Sequence, residues 1–254
     1  MPVIPKIEKV RVFAIESPSA LDFFANRTES QTLQAVCKLL GHEFASTIVR
    51  SIGEFETALN YITSINPDHL PESERRRPLC LHIAAHGNND ELGIGGEDLD
   101  WEGLADLLWA FFGKMKHYKG QIILVISACC ASNQKVTNFF RDRAKKKNSP
   151  NPPLYVLTTV GDAEGEVYWR DSVVAWSLFY HQIGNAMLYS KTDIQLILDK
   201  IRLVGAGTLK YFRWDSNKKM YVHYTSTVNE HKKPVTAFKA TDSSSKPKPK
   251  PRKK

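Results

Sequence analysis

The chain has 254 residues, 42% hydrophobic and 24% charged, enough to bury a sizeable core. Its formal charge of +8 is local: residues 231–254 hold nine Lys or Arg against one acid, Asp242, so the other residues sum to zero and do not read as a basic nucleic-acid-binding domain. Cys37, Cys80, Cys129 and Cys130 form no disulfide framework and fit free thiols in a reducing compartment. With no signal-type start and no run near the roughly 20 apolar residues that span a bilayer, a cytoplasmic protein without membrane insertion is expected.

Lys9 to Glu16, with Val12, Phe13 and Ile15, reads as a first strand, broken by Ser17-Pro18-Ser19. Arg27 to Leu40 places Leu33, Val36, Cys37 and Leu40 at helical spacing before Gly41. Phe44 to Arg50 is a second strand. Ser51 caps the next helix with Glu54 three residues on, and Phe55, Ala58, Leu59 and Ile62 make its buried stripe. This β-α-β-α opening predicts a layered parallel sheet. Pro67 to Arg77 is a polar connection, with Arg75-Arg76-Arg77 as a solvated strand entrance.

Leu79 to Gly87 and Ile122 to Ser127 are apolar runs that stop abruptly in small and polar residues. Both read as interior strands, apolar on both faces. Between them, Gly87 to Leu99 is glycine-rich, acidic and without period, and reads as a loop. Asp100 then caps a helix carrying Leu104, Leu107, Leu108 and Phe111. Asn133 to Arg143 is a crossover helix, Lys145 to Pro153 a basic break, and Leu154 to Val160 a further strand beside the previous one. The acidic turn Gly161 to Glu166 follows it. Trp169 to Leu188 and Leu196 to Val204 read as helices. Thr208 to Asp215 and Met220 to Ser226 read as a hairpin, inside or outside the main sheet. The Lys/Pro alternation of Thr241 to Lys254 favours an extended, solvated tail. The expected fold is α/β, a three-layer α/β/α sandwich with a mostly parallel central sheet, over residues 1–230, with a basic tail over 231–254.

In open α/β sheets the ligand site lies beyond the carboxyl ends of the strands. Two of those ends carry His86 and Cys129. Imidazole accepts a thiol proton and returns it to a leaving amine, and the thiolate is the nucleophile. Gly87 lets backbone approach closely, and amides after Cys129 face an oxyanion only if the chain turns sharply there. Cys130 reads as packing because neighbouring strand residues face opposite ways. His82 reads as a core histidine. A zinc site from His82, His86, Cys129 and Cys130 has the ligand types without the paired spacing. No Arg stands six after either cysteine, as a phosphatase loop needs, and no glycine-rich Lys-Ser/Thr loop is present. Neither metal nor cofactor is expected, and no third catalytic member stands out.

His86-Gly87 and Ser127-Ala128-Cys129, in that order with a helix between, resemble the caspase-like cysteine peptidases of the caspase–hemoglobinase fold. The resemblance is strongest to the CHAT branch, related to separases and gingipains, and to its bacterial members. Ile15-Glu16-Ser17-Pro18-Ser19 is similar to its first strand and Val173 to Tyr180 to its helix after the specificity region, so the likeness covers about residues 9–215. The resemblance implies His86 as general base and acid, Cys129 as nucleophile, and the N–H groups of Gly87 and Cys129 as oxyanion donors. It also implies a specificity pocket near the exit of the Val160 strand. Asp162, Glu164 and Glu166 there point to cleavage after Arg or Lys, with Asp162 first, while Trp169 or Trp176 would line an apolar alternative.

The implied partners are a protein substrate and an activating protein or a second copy, with a place in prokaryotic antiviral defence. This sequence departs from the branch after Cys129, where Cys130 and a glycine-free Ala131-Ser132-Asn133 follow. Two other readings stay open: a catalytically silent module that keeps the fold, and nucleic-acid contact through residues 231–254.

Overall fold

The computed structural model describes residues 9–65, 70–118, 121–133, 135–146, 149–162, 165–184 and 191–224. In chain order the strands are β1 (Arg11–Ser17), β2 (Glu43–Ile48), β3 (Leu79–Gly87), β4 (Glu91–Ile94), β5 (Glu97–Asp100), β6 (Ile122–Ser127), β7 (Tyr155–Val160), β8 (Thr208–Asp215) and β9 (Met220–Tyr224). The helices are α1 (Ala20–Phe24), α2 (Glu29–Leu40), α3 (Ile52–Ile62), α4 (Glu72–Arg75), α5 (Trp101–Lys114), α6 (Lys135–Ala144), α7 (Trp169–Ile183) and α8 (Lys191–Leu203). The sheet runs β2-β1-β3-β6-β7-β8-β9, and its first five strands are parallel. β8 and β9 continue it antiparallel, so the terminal hairpin lies in the main sheet. The basic tail over 231–254 lies outside the described residues, as do Glu164 and the predicted helical extension over 185–188.

Side-chain alternation sorts the strands onto two cores. Phe13, Ile15, Leu81, Ile83, Leu124 and Ile126 pack with α3, α5 and α6. Val12, Cys80, Ile123, Val125 and Leu157 pack with α2, α7 and α8. This is the three-layer α/β/α arrangement with a mostly parallel central sheet. Every residue of β1 is buried, as is β3 from Leu79 to Ile83. Each fully buried Leu, Ile or Val in these rows contributes about 1.5–3 kcal/mol, and continuous apolar runs result because both faces are covered.

The caps follow the sequence. Ser51 accepts from Glu54 N–H at 3.1 Å, and Asp100 accepts from Gly103 N–H at 2.5 Å. Two expectations need correction. The segment after Gly87 is not a loop but the β4–β5 hairpin, which continues from β3. Asn88 Oδ1 accepts from the N–H groups of Asp90 and Glu91, Gly95-Gly96 turns the chain, and Leu92, Ile94 and Leu99 are buried. The short strands and the glycines hid the alternation. The arginine run is also more than a solvated entrance: Arg77 pairs with both Glu43 and Glu74, and its side chain is largely buried.

Candidate active site

β3 and β6 are parallel neighbours in register from Leu79–Ile122 to Ala84–Ser127. His86 and Cys129 each lie two residues beyond that last pair, so they stand level at the carboxyl edge. The two-residue period also puts them on one face, the face of α2 and α7. His82 and Ser127, in the same phase, confirm that side by reaching Tyr180 and Trp176. Both His86 and Cys129 line a cleft of about 100 Å³, with Glu16, Asp22, Glu29 and Trp169 among its walls.

His86 Nε2 donates to Asp22 Oδ2 at 2.6 Å. The acceptor sits on α1, which the sequence reading missed. Ser19 caps this helix by accepting from Asp22 N–H at 3.1 Å, and the Ser19 hydroxyl donates back to the Asp22 carboxylate. That hydroxyl, then His86 and Arg27, hold the Asp22 carboxyl below its ordinary value. Ser19 and Asp22 have capping-box spacing, which was the available signal. It went unread because α1 buries none of its residues and has no apolar stripe to find. With Nε2 committed, Nδ1 is the ring nitrogen left to serve a thiol.

The chain turns sharply after Cys129. Cys130 has φ 58°, in the left-handed region, so it is part of a turn and not a strand residue packed on the opposite face. Its N–H donates to Gly165 O at 3.3 Å, and Gly165, at φ +86°, has no room for a side chain because a Cβ would lie 2.8 Å from Cys130 Sγ. The neighbouring amides are occupied. Ala128 N–H donates to Thr159 Oγ1 at 3.2 Å and Ala131 N–H to Ala128 O at 3.4 Å. Among the described residues no acceptor takes Cys129 N–H. Gly87 lies against this turn, where a Cβ would come within 2.8 Å of Cys129 O, so glycine is required there by packing alone.

Cys129 Sγ accepts from Val167 N–H at 3.3 Å. It makes no hydrogen bond with the imidazole in this conformation. Burial pushes the thiol pKa up, while the Val167 N–H pulls the other way. In this resting conformation the Cys129 side chain is a protonated thiol at neutral pH.

The acids expected around the pocket are placed differently. Asp162 Oδ1 accepts from Glu166 N–H at 2.9 Å, and Asp162 N–H donates to Glu166 O at 2.9 Å, closing their own turn. Both line a neighbouring hollow of about 280 Å³ between the β7 exit and Gly207, not the cleft that holds His86. Trp169 does line that cleft and is 38% exposed.

The cleft floor carries two acids that the sequence reading did not single out. Glu29 Oε1 accepts from Ser127 Oγ at 2.8 Å and Ser172 Oγ at 2.7 Å, and Oε2 accepts from His82 Nε2 at 2.8 Å. Glu16 Oε1 accepts from Ser30 N–H, while its Oε2 is buried without a partner among the described residues. Burial, and then the neighbouring Glu29, push the Glu16 carboxyl above its ordinary value. Isolated acids on a strand end and a helix start gave no local pattern to read.

Among the described residues no cluster of three or more His, Cys, Asp or Glu is placed to hold a metal ion, and no helix is long and apolar enough to cross a membrane. No family model and no curated protein matches the sequence. Among solved structures, caspase-1 from Spodoptera frugiperda is similar, with a TM-score of 0.49 and 13% identity, over 81% of this chain and 84% of that one.

Proposed function

We propose that this chain is a caspase-like cysteine endopeptidase of the CHAT branch that cuts a protein partner. The observation that carries the reading is the level placement of His86 and Cys129 at adjacent strand ends, on one face and in one cleft. In the reaction, Cys129 Sγ leaves Val167 N–H and attacks the scissile carbonyl carbon as His86 Nδ1 takes the thiol proton. Cys129 N–H donates to the oxyanion, with Gly87 N–H as the second donor of the reading. The imidazolium, held at Nε2 by Asp22, protonates the leaving amine as the C–N bond breaks. Water, deprotonated by His86, then hydrolyses the thioester and returns the proton to the thiol.

Asp22 is the positioning residue for the base. Release of Cys129 from Val167 N–H is the activating step, and substrate or a partner protein supplies it. A second copy is the other candidate activator, and prokaryotic antiviral defence is the setting the resemblance implies. Low basal turnover of the isolated chain follows, because the thiol rests protonated and apart from its base.

The test is a proteome-derived peptide library digested by the parent chain and by Cys129→Ala and Cys130→Ala, read by mass spectrometry. Cleavage should vanish in the first variant and persist in the second; the reverse pattern sinks the assignment. One observation favours the catalytically silent alternative, namely the thiol held by Val167 N–H rather than by imidazole. A peptidyl thiol-directed probe that never labels Cys129, even with library peptides cut by no parent sample, decides for it.

A further inference from the structure

One edge of the sheet is left open. β2 ends the sheet, and among the described residues no strand pairs with its outer side. Edge strands are commonly blunted by lysine, proline or a bulge. β2 has none of these: Phe44 to Ile48 carry no charge and no proline, and the register with β1 is unbroken. Its one charge, Glu43, is taken by Arg11 and Arg77. Ala45, Ser46 and Ile48 are exposed.

Two hollows flank this edge and meet at its end. The first, about 720 Å³, lies between β2 and α3, with buried Phe13 and Tyr61, 68% exposed, among its walls. It exists because Ala45, the register partner of Phe13 on the α3 face, is small. The second, about 390 Å³, lies between the β2 exit, α1 and the Gly95-Gly96 turn, and is lined by Phe23, Phe24 and Ile48. Phe24 is 84% exposed. Ile48 and Arg50 belong to both hollows. Apolar side chains gathered beside an unpaired strand mark an interaction surface. Arg50 gives that surface its charge. Glu54 and Glu97 turn to the N–H groups of Arg50 and Ile52, each at 2.7 Å, and the Arg50 guanidinium has no ion pair among the described residues.

We propose that the outer edge of β2 docks an extended segment of a partner protein, apolar at every second residue and acidic where it passes Arg50. The main chain of the segment pairs with the free edge, its alternate side chains enter the hollow beside Ala45 and Thr47, and its carboxylate meets the Arg50 guanidinium. A basic segment is repelled there, and a helix leaves the edge groups unmatched. β2 of a second copy brings no free carboxylate, because Glu43 is already paired. The docked segment also covers Phe23 and Phe24. α1 buries none of its residues, and its tie to the sheet is Asp22 on His86. Packing on the aromatic side of α1 therefore fixes the carboxylate that orients the base, and the partner acts as an activator. That consequence rests on the peptidase reading; the docking site itself does not.

The experiment separates docking from chemistry. Random peptides displayed on phage are panned against the full chain carrying Cys129→Ala, so that nothing is cut. Recovered peptides should share alternating apolar residues and an acidic residue, and the tightest of them, synthesised, should slow amide exchange across residues 43–48. Phe24→Asp and Arg50→Glu, both at exposed positions, should each weaken that peptide by about tenfold or more in calorimetry. Panning against the Arg50→Glu chain should recover basic peptides in place of acidic ones, a reversal that misfolding does not produce. No recovered peptide, protection away from β2 with every one, or the same acidic pattern on the Arg50→Glu chain overturns the proposal. The synthesised peptide is then added to the parent chain as it cuts a library peptide. It should raise kcat with little change in KM, and should not do so with Phe24→Asp. An unchanged kcat overturns the link through α1. Docking at β2 with no cleavage of any library peptide upholds the docking site and removes the peptidase reading instead.

Discussion

The inner and outer halves of β3 carry the same residue type on the same face, four positions apart, with different consequences. His82 is fully buried, with Nε2 donating to Glu29 at 2.8 Å and Nδ1 accepting from Tyr180 OH at 3.0 Å. Both ring nitrogens are satisfied inside the protein. His86 lies past the last rows that β3 shares with β1 and β6, with a side chain 65% exposed, and among the described residues only Nε2 has a partner. A histidine with two internal partners fastens α2 and α7 to the sheet. A histidine with one partner and one free nitrogen is oriented and still able to move a proton. The difference is set by whether the strand end is roofed by helix, not by the residue.

The sharpest way to break this comparison is to remove each histidine's chemistry and read both activity and stability. Cys129→Ala should abolish peptide cleavage, and His86→Ala should lower kcat/KM by about 100- to 10,000-fold, with thermal unfolding near that of the parent. A His86→Ala chain that cleaves normally ends its role as base. His82 should behave in the opposite way. Glu29→Leu strands a buried imidazole and should destabilise the fold by about 3–5 kcal/mol, measured by urea unfolding. Adding His82→Leu to Glu29→Leu should recover part of that loss, because neither partner is then left unmatched. Additive losses would show that the pair is not coupled.

Asp22 sharpens the contrast by a smaller effect. Asp22→Asn should lower kcat about 10- to 100-fold with little change in KM, since it orients the base and binds no substrate. Its carboxyl is held below the ordinary value by Ser19, His86 and Arg27. A depressed carboxyl contributes stability that is fully present above the unfolded value and is lost as pH falls through the folded value. The difference in Tm between parent and Asp22→Asn should therefore be constant near neutral pH and shrink below about pH 4. A difference that grows in acid contradicts the sign. For this partly exposed group it should not exceed about 1 kcal/mol.

The smallest effect concerns Glu16 and runs the other way. Its carboxyl is raised by burial and by Glu29, so the folded chain holds that proton more tightly than the unfolded chain. Stability is lost as pH rises through the folded value. Glu16→Gln removes that dependence, and its Tm relative to the parent should rise between pH 4 and pH 7. A flat difference over that range would mean that Glu16 ionises in the folded cleft as freely as in the unfolded chain.

Much of the frame could be read from the residues. Ser51 with Glu54, Asp100 before its helix, and the two apolar runs ending at His86 and Ser127 each carry their signal within a few positions, because caps and burial periods are local physics. The pairing of β6 with β7 followed from the habit of consecutive parallel units. The β4–β5 hairpin was missed because four-residue strands around Gly95-Gly96 show too little alternation. α1 was missed because a helix of five residues with no buried side chain has no stripe.

The sequence by itself determined the layered α/β architecture and the pair of strand ends that deliver a histidine and a cysteine, since both depend on short-range patterns and a strict two-residue alternation. Only the tertiary structure decided what surrounds them. Asp22 meets His86 across 64 positions and Glu29 meets Ser172 across 143. Asp162 and Glu166 of the β7 turn close on each other instead of facing the cleft, and Glu16, whose Oε2 has no partner among the described residues, is inside it. These outcomes rest on the partners available to each carboxyl after the sheet and helices have assembled, and chain order does not encode that inventory locally.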